Sequence, residues 1–187
     1  MKLLVLDDRK LARLTKDKAA VLKELEEKAG VEIFVRRERG ESVVEVSGEP
    51  AGEWSAEQVL QAISLGFAPK TAFKLLAENN FLEVIDLAMI LPNEKAIARH
   101  KARIIGTDGK SKKKMEEFSG ASIAVNEGSQ IGILGEFEDV KSGKEAVTRL
   151  LEGSPHGSVF VWLKNDKRRK EAEAMGLNFS KRKSGSF

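Results

Sequence analysis

The chain repeats one sequence pattern, and this repetition restricts its fold more than any other feature. The segment VLKELEEKAGVEIFV begins at Val21, and SKKKMEEFSGASIAV begins at Ser111, 90 residues later. Both carry a long apolar residue, two glutamates, a glycine and alternating branched residues at matching positions. Downstream, SVVEVSGE from Ser42 matches SQIGILGE from Ser129, which is 87 residues away. The change of spacing falls between two strand-like segments, where a turn tolerates insertions.

Each copy predicts the element order β-α-α-β-β-α. In the second copy we expect a strand over FLEVIDLAMI (Phe81 to Ile90), a helix capped by Asn93, and a second helix that ends at Gly120. A hairpin around NEGS and a helix up to Leu151 follow. The first copy gives the same order, with a short helix expected after Asp7-Asp8. The sequence therefore predicts an α+β fold with two tandem units, each a three-stranded antiparallel sheet packed on helices.

The boundaries of these units follow from the repeat and from composition. Residues 1–66 are the first unit, 67–80 a helical linker, 81–165 the second unit, and 166–187 a basic C-terminal tail. Pro69 suits the first turn of the linker helix. Phe73, Leu75 and Leu76 give that helix an apolar side, which we expect to pack the two units together.

Composition excludes several classes of function. The chain has no cysteine and only two histidines, His100 and His156, so we expect no disulfide, thiol catalysis, metal or other cofactor. No run of apolar residues has the length of a signal peptide or a membrane span, which predicts a cytoplasmic protein without a membrane partner. The adjacent Glu116 and Glu117 repeat Glu26 and Glu27 and read as a solvated helix face. No spacing of carboxylates indicates an enzyme.

The segment RIIGTDGKSKKK, from Arg103 to Lys114, carries the strongest functional signal. Its ending, Gly109-Lys110-Ser111, matches the end of a Walker loop, but that motif requires a glycine where Ile104 stands. The preceding element also reads as a helix, whereas a strand precedes a Walker loop. A loop for nucleotide phosphates is therefore not expected. A plain helix–helix turn remains an alternative.

The interpretation that we favour is a helix–GxxG–helix clamp for the backbone of nucleic acid. Glycines without a Cβ let a phosphate strand come close, and the next helix offers free N–H groups and the positive end of its dipole. The apolar residues Ile104, Ile105, Ile123 and Val125 are expected to floor a groove for unstacked bases. This is the type I K-homology (KH) arrangement, which clamps about four single-stranded nucleotides. The first unit has Lys16-Asp17-Lys18-Ala19 instead of GxxG, which predicts a degenerate KH domain.

Charge agrees with this division of roles. The whole chain has a formal net charge of +3. From Asn93 to Met115 alone, eight basic and two acidic residues give a balance of +6. A local excess of this size is typical of a surface that binds phosphate.

The sequence resembles a known family, the archaeal two-KH ribosome-assembly factors that are counterparts of the eukaryotic partner-of-Nob-one protein. The matching stretches are QAISLGFAPKTAFKLL, FLEVIDL, ARIIGTDGKSKKKMEEFSGASIAV and GSPHGSVFVWL. The resemblance implies that the second KH domain binds the 3′ end of 16S rRNA within the pre-small ribosomal subunit. It also implies two protein partners, the α subunit of initiation factor two and the separate endonuclease that matures the rRNA 3′ end.

The residues expected to contact RNA come from the motif and from this resemblance. They are Arg103, Ile104, Ile105, Gly106, Thr107, Asp108, Gly109, Lys110, Lys113, Ile123, Val125, His156, Gly157 and Ser158. Asp108 departs from the family, whose loops are often basic, and should weaken the attraction for phosphate. The predicted function is a non-enzymatic single-stranded RNA-binding protein of ribosome assembly. The alternatives are a scaffold for initiation or assembly factors with incidental RNA contact, and an RNA nuclease or modifying enzyme.

Overall fold

A computed structural model describes residues 2–6, 18–38 and 41–176 of the chain. The strands are β1 Lys2–Leu6, β2 Val31–Glu38, β3 Glu41–Gly48, β4 Asn80–Asp86, β5 Ser122–Val125 and β6 Gln130–Glu136. The α-helices are α1 Lys18–Ala29, α2 Pro50–Leu65, α3 Pro69–Ala72, α4 Glu94–Ile105, α5 Lys110–Ser119, α6 Phe137–Leu151 and α7 His156–Ala174. Short 3₁₀ segments cover Phe73–Leu76, Leu87–Met89 and Thr107–Gly109.

The strands form two antiparallel sheets that have the same topology. Their orders are β1-β3-β2 and β4-β6-β5, so in each sheet the first strand pairs with the third and the hairpin partner lies at the edge. Ile33 lies opposite Val46 in the first sheet, and Ile123 lies opposite Ile133 in the second. The helix expected after Asp7-Asp8 lies outside the described residues. For the second unit, the predicted order β-α-α-β-β-α is confirmed.

The repeat extends to individual hydrogen bonds. Glu26 of α1 accepts the backbone N–H of Ile33 at 2.8 Å, and Glu116 of α5 accepts the backbone N–H of Ile123 at 2.8 Å. Each glutamate therefore ties a helix to the outer edge of its own sheet. The expectation that Glu116 only faces solvent was wrong, because its carboxylate satisfies a strand N–H that the edge position leaves without a partner in the sheet.

The central strand β6 of the second sheet is buried on both faces, which explains its unusual sequence. Ile131 and Ile133 of β6 pack into a core with α4, α5, α6 and α7. Leu134, two strand positions from Gly132, packs on the opposite side with residues of the first unit. Gly132 has no side chain because the ring of Phe67 occupies that space. A strand covered on both sides reads as a continuous apolar run, and QIGIL has this character.

The linker connects the two units through a shared core. Leu75 is buried, and Phe73 and Leu76 pack partly buried against the same cluster, which includes Ala124 and Leu134 of the second sheet. The prediction that the linker helix packs the units together is confirmed. The helix itself is shorter than expected, because four α-helical residues of α3 pass into the 3₁₀ segment at Phe73.

Two expected elements end elsewhere. The strand expected to reach Ile90 ends at Asp86, whose carboxylate accepts a hydrogen bond from the N–H of Ala88 and starts a 3₁₀ turn. The helix α7 continues from His156 to Ala174, so the boundary placed between residues 165 and 166 falls inside one helix. The tail beyond residue 176 lies outside the described residues.

The contact between Gly132 and Phe67 yields a prediction for stability. A Cβ at position 132 would lie 2.7 Å from Cε2 of Phe67 and 3.1 Å from Cδ1 of Leu65. We expect Gly132→Ala to lower the free energy of unfolding by about 1–3 kcal/mol through overpacking. The cost should fall in a Phe67→Leu background, because leucine lacks the ring atom that collides.

Urea denaturation of the two single variants and the double variant measures this coupling. Gly157→Ala serves as a control, because a Cβ there meets nothing within 4 Å and the backbone is not left-handed. Strictly additive costs for Gly132→Ala and Phe67→Leu, within about 0.5 kcal/mol, would contradict a direct contact between the two sites.

Candidate nucleic-acid interface

The GxxG loop joins two helices whose ends are well defined by the sequence. Helix α4 begins after Asn93, whose side chain accepts a hydrogen bond from the N–H of Ala96 at 2.9 Å, as predicted for an N-cap. It ends at Ile105, where Gly106 adopts φ 70° and ψ 176°. A Cβ on Gly106 would lie 2.6 Å from Cβ of Ser111. Gly106 is therefore required both by its backbone conformation and by the close approach of α5.

Gly109 has a different role in the same loop. Its φ is 72°, but a Cβ built there meets no atom within 4 Å. The open space above Gly109 lies directly before the first residue of α5, where helix N–H groups have no intrahelical acceptor. Asp108 also has a left-handed backbone, with φ 53°, which aspartate tolerates better than most residues. The loop thus exposes main chain at the N-terminal end of a helix.

Two helices begin at this loop. Helix α7 starts at His156, whose Nε2 lies 2.8 Å from the carbonyl oxygen of Arg103, and that carbonyl can only accept. The ring of His156 is half-buried, so it fixes the end of α4. The expectation that a turn exposes His156 was wrong, because the Pro155-His156 step opens a helix that docks beside the loop. Gly157 and Ser158 in its first turn are exposed.

The helices α5 and α7 run side by side in the same direction. Lys114 of α5 lies over the ring of Phe160 of α7, and Lys164 further along α7 lies over Phe118 further along α5. Both helices therefore present their N-terminal ends toward the GxxG loop. The positive ends of two helix dipoles meet there, and such ends favour bound anions.

The basic residues near the loop fall into two groups. Some are used by the fold. Lys101 donates to the carbonyls of Glu127 and Gly128, and Arg103 donates to the carbonyls of Gly153 and Ser154. Arg103 therefore anchors the approach to α7 with its guanidinium.

The second group faces solvent. Lys113 is exposed, and the exposed Lys110 has only the carboxylate of Asp108 at 4.0 Å. An ion pair this long and this exposed is weak. Lys112, in contrast, is paired with Glu116 at 2.9 Å. Thr107 is exposed in the loop. The cations best placed for a phosphate are therefore Lys110 and Lys113.

The apolar groove differs from the expected one. Ile104 and Ile123 have 0% and 2% of their surfaces exposed and lie in the core, so the expectation that they floor the groove was wrong. They point inward because each occupies the core-facing position of its helix or strand. Ile105, which directly precedes the loop, and Val125 at the end of β5 are only partly buried. Ile97, Lys101 and Ile105 share one face of α4, since they are four residues apart.

A cleft of about 540 Å³ lies along this face of α4. It is lined by Ala88, Glu94, Ile97, Ala98, Lys101, Glu127, Gly128 and Ser129. The β5–β6 turn forms its other wall. The cleft and the loop together give an extended surface with exposed main chain, lysines and partly exposed aliphatic side chains.

The structure shows no arrangement for metal chemistry in the part of the chain that it describes. Among residues 2–6, 18–38 and 41–176, no three His, Asp or Glu side chains cluster in a way that could hold a metal ion. Within the same ranges, every helix is too short or too polar to cross a bilayer.

The sequence reasoning missed the network that attaches α7 to α6. The Asp166 side chain is largely buried and accepts hydrogen bonds from Ser142 at 2.6 Å and from Arg169 at 2.7 Å. Lys170 donates to the carbonyl of Glu138 and pairs with Asp139. The only signal in the sequence was the mixture of charges in KNDKRRKEAEA, which does not reveal the partners.

The strand order, the helix–GxxG–helix and the helix that follows define residues 81–168 as a type I KH domain. A family model described as a eukaryotic-type KH domain (KH-domain type I), that of the second KH domain of PNO1, matches residues 81–168. The KH domain-containing protein MJ0443 of Methanocaldococcus jannaschii is 31% identical over 169 residues, which are 85% of this chain and 74% of that protein. This chain belongs to the KH-domain family related to PNO1 and Dim2.

Other relatives support this family assignment. The pre-rRNA-processing protein PNO1 of Coccidioides immitis is 32% identical over 106 residues, and the match spans 56% of this chain but only 41% of that protein. A chain in the crystal structure of the a/eIF2alpha–aDim2p–rRNA complex of Pyrococcus horikoshii is 34% identical. It superposes with a TM-score of 0.79, covering 90% of this chain and 94% of that chain.

The two glycines of the loop should respond differently to the same change. We expect Gly106→Ala to lower the free energy of unfolding by more than about 2 kcal/mol, because backbone strain adds to the clash with Ser111. Gly109→Ala should cost only the strain, about 1 kcal/mol. Urea denaturation measures both. Equal costs would contradict the close approach of α5 to Gly106.

The attachment of α7 should depend on pH through Asp166. Burial raises the pKa of Asp166, but hydrogen bonds from Ser142 and Arg169 and the charge of Lys170 outweigh it and hold the pKa below 3.8. A carboxyl group whose pKa is lower in the folded state stabilises the fold at any pH above its pKa in the unfolded state. This stabilisation is lost as the pH falls through the pKa of the folded state. We expect Asp166→Asn to cost about 1–3 kcal/mol at neutral pH. The cost should shrink below about pH 4.

Urea unfolding from neutral to acidic pH measures this difference, with the exposed Glu171→Gln on the same helix as the control. A cost of Asp166→Asn that stays constant through the acidic range would show that the carboxylate charge does not hold α7.

Proposed function

We propose that this protein binds single-stranded RNA through its second unit and holds the 3′ end of 16S rRNA during maturation of the small ribosomal subunit. The observation that carries the proposal is the loop at Gly106–Gly109, where main chain is exposed at the start of α5 and α7. Phosphates would rest on this main chain and on Lys110 and Lys113. Bases would lie along Ile105 and Val125, which are both partly exposed aliphatic residues.

The choice of rRNA rests on relatives, and the choice of its 3′ end rests on the family resemblance of the sequence alone. PNO1 is named a pre-rRNA-processing protein, and the Pyrococcus structure is of a complex with rRNA. We propose that this chain acts in the cytoplasm as a binding protein without catalysis, beside a separate endonuclease. The a/eIF2alpha in the same complex supports the α subunit of initiation factor two as a further partner.

The first unit is proposed to be a second, degenerate KH domain. Its sheet order and the Glu26–Ile33 hydrogen bond match those of the second unit. Lys16 and Asp17, which take the place of the first loop residues, lie outside the described residues, while Lys18 and Ala19 begin α1. With side chains where the clamp has glycines, this unit would serve for packing or for contact with a protein or an rRNA surface.

Gly109 allows a test that leaves the fold intact. Asparagine and aspartate both tolerate a left-handed backbone and have the same shape, so they differ only in charge. We expect Gly109→Asp to weaken binding of a short 3′-end rRNA strand by about tenfold or more, which is about 1.4 kcal/mol. Gly109→Asn should weaken it less, because it adds the same side-chain bulk without the negative charge, and Asp108→Asn should tighten it. Fluorescence anisotropy with labelled RNA measures all three.

Wild-type affinity in Gly109→Asp would refute the clamp. Gly106 is unsuited to this test, because any side chain there collides with Ser111.

The scaffold alternative is supported by the a/eIF2alpha in the Pyrococcus complex and makes a different prediction. Incidental RNA contact should show shallow salt dependence and no preference for single strands. The enzyme alternative is tested by incubating labelled precursor RNA with the protein and Mg²⁺ or Mn²⁺, where cleavage would overturn the non-catalytic role.

A further inference from the structure

The seam between α5 and α7 carries two crossed pairs of lysine and phenylalanine. The ammonium of Lys114 on α5 lies 5.2 Å from the centre of the Phe160 ring on α7. The ammonium of Lys164 on α7 lies 5.1 Å from the centre of the Phe118 ring on α5. Both rings are half-buried and both lysines are exposed. The rings restrict where the two charges can lie, at distances typical of cation–π contacts.

Two more lysines lie beside these pairs. Lys113 is exposed on α5 next to Lys114, and Lys167 on α7 donates to the carbonyl of Glu117 on α5 at 3.3 Å. We call Lys113, Lys114, Lys164 and Lys167 the seam lysines. Among the residues that the structure describes, none of them has an acidic group within ion-pair distance.

Three other cations of the same helices are paired with acids. Lys112 pairs with Glu116, Arg169 pairs with Asp166 and Glu173, and Lys170 pairs with Asp139. Glu116, Asp166 and Glu173 are thus already paired with other cations. The exposed Glu117 and Glu171 form no ion pair with a described residue, but the four seam lysines outnumber them. Four cations on two packed helices repel one another, and an anionic ligand with several charges would remove that repulsion.

The seam is continuous with the clamp. Both helices begin at the GxxG loop and run away from it in the same direction, and α5 with its 10 residues is about 15 Å long. A ligand that leaves the loop along this direction meets Lys113 and Lys114 first and Lys164 and Lys167 next. The anion that fits is therefore one that already reaches the loop, which is an RNA backbone rather than an acidic protein.

We propose that the seam lysines bind phosphates of the RNA that flanks the nucleotides held in the clamp. The inference rests on the proposed function of the loop and extends it. A KH clamp holds about four nucleotides, and the seam would lengthen the contact and add affinity without reading bases. The flanking RNA can be a continued single strand or a stem, since both offer phosphates to lysine.

The test compares RNAs of different length and structure with the full chain. Lys114→Gln/Lys164→Gln keeps the first two methylenes of each stem but removes two charges. Its charge-matched control is Lys70→Gln/Lys74→Gln, two exposed lysines of the linker segment. Lys114→Arg/Lys164→Arg keeps the charges. The RNAs are a strand of about four nucleotides, the same strand extended to about twelve, and the same strand joined to a hairpin stem.

We expect the Lys114→Gln/Lys164→Gln variant to bind the short strand as wild type does and to lose about tenfold in affinity for an extended RNA. The slope of log K against log salt should fall by about 1.4 for the extended strand, since each single-strand phosphate contact contributes about 0.7. The Arg variant and the linker control should retain wild-type affinity. Whichever extended RNA shows the loss identifies the flanking form as strand or stem.

Equal loss on short and extended RNA, or a loss of the same size in the linker control, would overturn the proposal, because a general effect of net charge would explain it. No loss on either extended RNA would also overturn it. The variant Gly109→Asp separates the two proposals. If it leaves the short strand bound, the clamp itself fails. If Gly109→Asp releases the short strand while Lys114→Gln/Lys164→Gln binds every RNA as wild type does, only the proposal for the seam lysines is refuted.

Discussion

The close packing of Phe67 against Gly132 is the contact on which the arrangement of the molecule depends. It lets the end of α2 and the linker pack against one face of the second sheet. The helices of the second unit cover the opposite face. Strand β6 is then buried on both faces, and the α4–loop–α5 segment is supported from behind by the core residues Ile104, Met115 and Ile123. The glycine-lined loop is therefore held in place by contacts far from the main chain that it exposes.

The candidate site owes its shape to glycine placement and to helix ends rather than to a pocket. Gly106 lets Ser111 of α5 pack closely against the loop, and Gly109 leaves open space. His156 holds the start of α7 at the carbonyl of Arg103. The N-terminal ends of α5 and α7 then lie on the same side of the domain. Helix N-termini favour bound anions.

Much of the fold could be predicted from the sequence, because the two copies support each other. Periodicity located α4, α5 and α6 closely, since their apolar positions and caps are local properties. The sequence did not predict which apolar residues near the loop stay at the surface, and Ile104 and Ile105 show why. Adjacent residues on a helix point 100° apart, and only tertiary packing decided that Ile104 lies in the core. Likewise, PHGS suggests a turn by composition, yet it opens α7 because Val159 and Leu163 bury against the second core.

The hydrogen bonds of Glu26 and Glu116 have a bearing on misfolding. A chain built from two similar β-rich units is exposed to exchange of strands between the units or between neighbouring molecules, since β2 and β5 each present an open edge. Each glutamate occupies an edge N–H with an anchor from the preceding helix of the same unit. Glutamate and edge residue are only seven positions apart in both cases, so each contact closes a short loop at little entropic cost, which favours closure within a unit over exchange with a distant edge.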